Sequence, residues 1–231
     1  MATLRASSPT VARPRAGSRG AALSGVLLSL ATALSLLGMA VLLILPPFVL
    51  HPLLDVADSA SFLGVSPGEA HRLSDLTVTE LLIGPGTFAF AGPAGASLFD
   101  PSEASHLRDA RAILYGFLAV CAMAALLVAA ALRRDRAGTR PHIGRAGAGL
   151  AIAIVVLGAV ALLAFEPAFE LFHRIFFPGG NWAFDPGSQR LVQLYPLSFW
   201  RYVSALVGVL AAILGAGTWW LARRPRGHSP S

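Results

Sequence analysis

Four long apolar runs divide this 231-residue chain, and none of them contains a charged residue. They cover about residues 22–45, 112–132, 146–165 and 202–222. About 20 apolar residues in a helix cross the hydrocarbon core of a bilayer, and a backbone in lipid must satisfy its own hydrogen bonds. The pattern therefore predicts an all-α membrane protein with four transmembrane helices.

The polar residues between these runs predict how the chain is divided. Residues 21–222 form the predicted four-helix membrane domain, in which the long polar segments 46–111 and 166–201 make a small outer cap of two loops. A shorter loop, 133–145, joins the second and third runs. We expect the tail 1–20 to be disordered and basic and 223–231 to be a second tail. The first run is longer than the apolar part of a signal peptide, which predicts an uncleaved anchor.

The distribution of arginine predicts the orientation in the membrane. All 18 basic residues are Arg, and twelve of them lie in the two tails and the loop 133–145, where Asp135 is the single acid. The two long loops hold the other six arginines and eleven acids. Because basic residues are retained on the cytoplasmic side, both termini are predicted to be cytoplasmic and the long loops extracytoplasmic.

Composition supports the membrane assignment and argues against a soluble nucleic-acid-binding protein. Hydrophobic residues make up 55% of the chain and charged residues 13%. The formal net charge of +6, taken by itself, is compatible with nucleic acid binding, but the distribution of the charges is not. They occur in short clusters between apolar runs, which is typical of membrane topology. The expected partners are membrane lipids, with no nucleic acid.

The first long loop ends in a candidate site. Asp100 is a good N-cap residue, Pro101 suits the first helical position and Glu103 falls at the third, which predicts a capping box and a helix that runs into the second span. His106 and Asp109 are then three residues apart on one helix face. A carboxylate beside an imidazole orients it and raises its basicity, as a general base requires. An ordinary polar pair on a solvated turn has the same spacing.

The second long loop repeats the combination of acid and histidine. Glu170 and His173 are again three residues apart, within a stretch whose phenylalanines recur at helical spacing beyond the third span. Pro178-Gly179-Gly180 then predicts a turn, followed by Asn181 and Trp182, which we expect to line a pocket. Here too the aromatic residues are compatible with a simple interfacial anchor.

Other chemistry finds little support in the residues. His51 and His71 also lie in the loops and, with the two histidines above, offer four possible metal ligands, but their spacing is not that of a metal site. We therefore predict no metal and no cofactor. No serine stands out beside a histidine–acid pair, as a serine hydrolase would require. Cys121 is the one cysteine and lies in an apolar run, so an internal disulfide is impossible.

Two stretches carry a resemblance to a known family. The stretch "SEASHLRDAR" leads into the second span, and "FHRIFFPGGNWAFDP" with "LVQLYPLSFW" fills the second loop. With the order of spans and loops over about residues 20–222, they resemble the four-helix bacterial membrane proteins that include the lipoprotein intramolecular transacylases (Lit). The first loop is diverged from that pattern.

The resemblance implies a location and an activity. Members of known activity move the sn-2 acyl chain of the diacylglyceryl group on a lipoprotein's N-terminal cysteine to the α-amine of that cysteine. It implies a bacterial plasma membrane protein that acts on lipidated N-termini, with His106 and His173 as the catalytic pair, Asp109 and Glu170 orienting them. A non-catalytic scaffold or envelope-assembly protein, and a metal-dependent lipid enzyme, are the alternatives.

Overall fold

The structure, a computed structural model, describes residues 16–93 and 95–224. Within these residues the chain is almost entirely helical. Its helices in chain order are α1 (Ala16–Ile44), α2 (Pro47–Val56), α3 (Ser59–Leu63), α4 (Pro67–Leu82), α5 (Pro101–Arg134), α6 (Arg136–Leu163), α7 (Phe165–Phe176), α8 (Arg190–Leu194) and α9 (Leu197–Arg223).

Four of these helices are long and apolar enough to cross a membrane. The candidate spans are Leu23–Ile44 in α1, Pro101–Arg134 in α5, Arg136–Val160 in α6 and Leu197–Arg223 in α9. Few of their side chains are buried, as expected of helices that face lipid on most sides. The predicted fold class, an all-α protein with four transmembrane helices, is therefore confirmed.

The boundaries of the helices differ from the sequence prediction in two places. The predicted loop 133–145 is almost entirely helical, because Asp135 alone separates α5 from α6 and its carboxylate accepts a hydrogen bond from the backbone of Gly138 at 2.9 Å. Residues 16–20, predicted as part of a disordered tail, belong to α1. The rest of that tail, 1–15, and most of the C-terminal tail, 225–231, lie outside the described residues.

The two long loops are folded into short helices that share one apolar core. The first loop contains α2, α3 and α4, with Ser66-Pro67-Gly68 at the start of α4 and Gly84-Pro85-Gly86 after its end, and the second loop contains α7 and α8. The core joins α2, α3, α4 and α8 to the adjacent ends of α1, α5 and α9; its most enclosed side chains are those of Leu54, Leu73, Phe88 and Leu194. This core holds both loops in fixed positions at one end of the bundle.

Within the bundle, close approach between α6 and α9 depends on small residues. A Cβ placed on Gly215 would lie 2.5 Å from the carbonyl oxygen of Gly147, and a Cβ on Gly147 would lie equally close to the carbonyl oxygen of Gly215. Helices in lipid gain from such close backbone contact, because no hydrophobic effect drives them together. This close approach makes α6 and α9 a tightly packed pair of spans in the half of the bundle nearer the α5–α6 junction.

Candidate active site

The start of α5 is tied both to its own cap and to the second loop. Asp100 accepts hydrogen bonds from the backbone of Ser102 and Glu103, and the Glu103 carboxylate accepts one from the backbone of Asp100, which completes the predicted capping box. Glu103 is only 1% exposed, and its other oxygen accepts a hydrogen bond from the backbone of Leu191 at 2.7 Å. One buried carboxylate therefore joins α5 to α8, one turn before His106.

His173 lies on the last turn of α7, and a backbone contact determines which ring nitrogen carries its proton. Nδ1 lies 2.7 Å from the carbonyl oxygen of Phe169. A carbonyl oxygen only accepts hydrogen bonds, so Nδ1 carries the hydrogen and donates it. In the neutral imidazole, Nε2 is then the unprotonated nitrogen and can accept a proton.

His106 and His173 converge in one place although 67 positions separate them in the sequence. The centroids of the two rings are 5.9 Å apart and the ring planes are 24° from parallel. Phe177 lies against both imidazoles, with its centroid 4.4 Å from that of His106 and 5.4 Å from that of His173. Each histidine is 9% exposed. The pair is thus held in an aromatic, largely water-excluded site.

Burial keeps both imidazoles uncharged at neutral pH. His106 precedes the uncharged stretch of α5, which begins at Ala112. Its pKa is lowered to about 4, mainly by burial and in addition by the neighbouring His173, while Asp109 opposes the shift. Burial also lowers the pKa of His173, partly offset by its hydrogen bond to Phe169. Nδ1 of His106 is buried and has no hydrogen-bond partner within the described residues. Two neutral rings are available to exchange protons with a substrate.

Asp109 and Asn181 meet at the edge of a pocket beside this pair. The Asn181 amide donates a hydrogen bond of 2.8 Å to the Asp109 carboxylate, so Asp109 does not bond to His106 as its spacing suggested. Both residues line an open pocket of about 450 Å³, whose apolar walls include Ile113, Phe176 and Phe177. Phe177 is therefore shared between the pocket and the histidines. Polar groups at one end and apolar walls at the other are suited to an amphiphilic ligand.

Trp182 was predicted to line a pocket and Glu170 to orient His173, and the structure places Trp182 beside His173 and Glu170 away from it. The Trp182 ring lies 5.2 Å from the His173 imidazole, centroid to centroid. The Glu170 carboxylate instead accepts a hydrogen bond from Arg174 at 2.5 Å, on the solvated side of α7. The reason is that Phe169, four residues before His173, presents its carbonyl to the ring, whereas the charged pair is better solvated outside. His173 is oriented by backbone, without Glu170.

The other two histidines in the loops form a separate pair. His51 on α2 and His71 on α4 stack with centroids 4.2 Å apart, and each bonds to a carboxylate of the opposite helix, His51 to Asp75 and His71 to Asp55. The four histidines therefore do not meet. Among residues 16–93 and 95–224, no group of three or more His, Cys, Asp or Glu side chains is placed to hold a metal ion.

Three contributors to the site were not identified from the sequence. Phe177 and Phe184 pack against the His106 ring, and the Phe169 carbonyl orients His173. The dense run of aromatic residues over 165–184 was a signal for the two rings, since so many Phe residues rarely serve an exposed loop. No sequence signal identifies a backbone carbonyl as a partner.

Comparisons with known structures support this arrangement of helices. The lipoprotein intramolecular transacylase Lit from Bacillus cereus superimposes with a TM-score of 0.73 over 89% of this chain and 95% of that chain, at 17% identity. A variant of the same protein with a histidine replaced by arginine gives 0.68, covering 90% and 92% of the two chains. At this identity the likeness establishes a shared fold.

Sequence comparison identifies the family. An uncharacterized protein from Aquifex aeolicus is 34% identical over 62 residues, a match that covers 27% of this chain and 28% of that relative. The family described as "Lipoprotein intramolecular transacylase Lit" matches residues 76–200, just over half of the chain and including both histidines of the convergent pair. This chain, a transacylase-like integral membrane protein, belongs to the lipoprotein intramolecular transacylase Lit family.

Proposed function

We propose that this protein transfers the sn-2 acyl chain of a diacylglyceryl-cysteine lipoprotein to the α-amine of the same cysteine. The observation that carries the proposal is the convergence of His106 and His173 in a buried aromatic site beside an amphiphilic pocket. Attack of an amine on an ester needs a group that takes the amine's proton and a group that returns a proton to the leaving alkoxide. In this proposal one neutral imidazole takes and returns the proton, and the other donates a hydrogen bond to the carbonyl oxygen.

His173 is the general base in this proposal. Its Nδ1 hydrogen is committed to the Phe169 carbonyl, which leaves the lone pair of Nε2 as the acceptor. The amine nitrogen bonds to the ester carbonyl carbon while Nε2 accepts the amine's proton. The bond from that carbon to the glyceryl oxygen then breaks, and the same proton passes to this oxygen. The products are an amide and a free glyceryl hydroxyl, and no covalent intermediate with the protein is needed.

His106 stabilises the negative charge that develops on the carbonyl oxygen. Its pKa of about 4 keeps the ring neutral, so one ring nitrogen carries a hydrogen that can be donated to this oxygen. Because the site is lined by Phe177, Phe184 and Trp182, water does not screen the interaction. Without His173 the site lacks its general base, and without His106 it lacks the donor to the carbonyl oxygen.

The pocket next to the pair holds the reacting end of the substrate. The Asp109 carboxylate, supported by Asn181, attracts the cationic α-amine, which releases one proton to solvent before it attacks as the neutral amine. The apolar wall at Ile113 and Phe176 accompanies the acyl chain into the membrane. Nucleophile and ester belong to one molecule, so proximity is supplied by the substrate itself.

The proposed orientation places this site on the outer side of the plasma membrane. Twelve of the 18 arginines lie in the tails and the α5–α6 junction, with Asp135 as the single acid there. The positive-inside rule then puts both termini in the cytoplasm and the histidine pair outside. Bacterial lipoproteins present their lipidated N-termini at that surface.

The test is expression in a bacterial host that lacks lipoprotein N-acylation, followed by mass spectrometry of the N-terminal lipopeptide of a reporter lipoprotein. We expect an N-acylated cysteine with a lyso-glyceryl group. His106→Ala and His173→Ala should each lower the yield by about 10²–10⁴-fold. His51→Ala and His71→Ala are the matched controls and should leave it unchanged. Unmodified diacylglyceryl-cysteine alongside well-expressed wild-type protein would contradict the proposal.

A further inference from the structure

The end of the bundle opposite to the histidine pair carries an open groove along α5. It encloses about 620 Å³ and is lined by Leu126, Ala129, Ala130, Arg133 and Arg134. The two arginines stand on the last turn of the helix, and Leu126, two turns earlier, is 65% exposed. The groove is therefore apolar toward the membrane interior and positively charged at its end.

Three other arginines at this end, Arg140, Arg223 and Arg224, have partners, but the two in the groove do not. The guanidinium carbon of Arg223 lies 4.2 Å from the ring centroid of Trp219, and that of Arg224 lies 3.4 Å from that of Trp220. Arg140 donates a hydrogen bond to the backbone carbonyl of Leu221. In the part of the chain that the structure describes, Arg133 and Arg134 make no hydrogen bond, ion pair or cation–π contact.

The one nearby acid does not neutralise these charges. Asp135 follows Arg134 directly, but its carboxylate points into the start of α6, where it accepts the hydrogen bond from the backbone of Gly138. Two unpaired guanidinium groups thus remain at the mouth of an apolar groove. A ligand that complements this groove has an anionic head and an extended apolar chain.

We propose that this groove binds one anionic phospholipid of the inner leaflet. The phosphodiester lies between Arg133 and Arg134, whose planar donors suit phosphate oxygens, and one acyl chain follows the small side chains of Ala129 and Ala130 toward Leu126. A zwitterionic lipid carries a cationic group that opposes the two arginines, so the site favours phosphatidylglycerol over phosphatidylcholine. The binding site is independent of the acyl-transfer site at the other end of the bundle.

The test is native mass spectrometry of the detergent-purified full-length protein, titrated with phosphatidylglycerol and phosphatidylcholine of identical acyl chains. We expect wild-type protein to retain phosphatidylglycerol preferentially. Each basic residue near a membrane surface contributes about a five-fold change in affinity for anionic lipid, so Arg133→Gln with Arg134→Gln should weaken phosphatidylglycerol binding by about 25-fold. Phosphatidylcholine binding should change little.

The matched control removes the same charge from the same end of the bundle. Arg223→Gln with Arg224→Gln deletes two arginines that stack on tryptophan and lie outside the groove. Arg133→Lys with Arg134→Lys keeps the charge and should retain most of the preference. Equal losses in the two Gln double variants, or no preference in the wild type, would overturn the proposal. An unfolding temperature for each variant verifies that it is folded.

Discussion

The chemistry of the site depends on how two histidine side chains are held. His173 receives its orientation from a backbone carbonyl four residues earlier, and His106 from packing against Phe177 and Phe184. Neither imidazole pairs with a carboxylate, in contrast to His51 and His71, which both do. A histidine without a charged partner in a buried site stays neutral, and a neutral ring can accept one proton and donate another. This difference in surroundings separates the proposed catalytic pair from the second pair.

The low pKa of His106 predicts a pH-dependent loss of stability. The unfolded chain binds a proton at His106 below its ordinary pKa of 6.5, whereas the folded chain does so only near 4. Stability is therefore fully present above about pH 6.5 and falls as the pH decreases toward 4, by on the order of 3 kcal/mol. Chemical unfolding in detergent between pH 4 and 8 should show a shallower decline for His106→Gln than for wild type.

His71→Gln is the control for this measurement, because it removes one histidine from the same outer cap but from the other pair. Carboxylates also titrate in this pH range, so the informative quantity is the difference between each variant and the wild type. A His106→Gln profile parallel to that of the wild type would show that His106 is protonated with an ordinary pKa in the folded protein.

At the scale of elements, the site is assembled from two helices that come from different loops. α5 brings His106 and Asp109, and α7 with the turn after it brings His173 and Asn181. Two sets of hydrogen bonds fix the second loop to the start of α5. The Glu103 carboxylate accepts one from the backbone at the start of α8, and the Asp100 carboxylate accepts one of 3.0 Å from Gln189. The residues that cap the N-terminus of α5 thus also fix the position of the second long loop.

Replacement of Glu103 should therefore cost stability. In Glu103→Gln, an amide group replaces one of two oxygens that accept backbone hydrogen bonds, which leaves a buried N–H without a partner and costs about 1–3 kcal/mol. Glu69→Gln is the control, since Glu69 also lies in the first turn of a helix but pairs with the exposed Arg72. Equal unfolding midpoints for the two variants would contradict the link.

The contact between α6 and α9 makes a second prediction at this scale. Gly215→Ala would place a Cβ 2.5 Å from the Gly147 carbonyl oxygen, so the helices must separate. We expect a clearly lower unfolding temperature in detergent, because closely packed backbones lose contact along the helix pair. Gly217→Ala, on the same helix with no atom within 4 Å of the added Cβ, should leave the unfolding temperature unchanged or slightly raised.

At the scale of the whole molecule, the apolar core and the membrane-spanning surface occupy different parts of the chain. The buried cluster joins the outer helices α2, α3, α4 and α8 to the ends of the spans, while the spans themselves expose most of their apolar side chains. The bundle therefore anchors the protein in lipid, and the outer cap acts as a packed domain that holds the two histidines. The unpaired arginines of the proposed lipid site lie at the opposite end.

The proposed orientation predicts which residues are reached from outside the cell. In a Cys121→Ser background, Ala89→Cys in the outer cap should react in intact cells with a maleimide that does not cross membranes. Ala137→Cys, at the α5–α6 junction, should react only after the membrane is permeabilised. Both positions are exposed in the structure, so access depends on the side of the membrane. The reverse pattern would invert the topology and place the histidine pair in the cytoplasm.

Local signals predicted much of the fold but less of the site. The capping box at Asp100 and the phenylalanine spacing of α7 were visible, because helix ends and helix faces depend on residues within four positions. The same local reasoning failed for Glu170, since its spacing to His173 matched that to Arg174 equally well and only solvation decided between them. Local reasoning also failed for residues 133–145, which were predicted to form a loop but are helical apart from the capping residue Asp135.

The sequence by itself determined that the chain is a four-helix membrane protein with its polar chemistry in two loops, because uncharged runs of about 20 residues have one stable arrangement in lipid. Only the tertiary structure decided which of four loop histidines meet. The start of α5 meets the last turn of α7 at His106 and His173, whereas α2 packs against α4 at His51 and His71. Contacts between residues so distant in the chain leave no periodic pattern in the sequence.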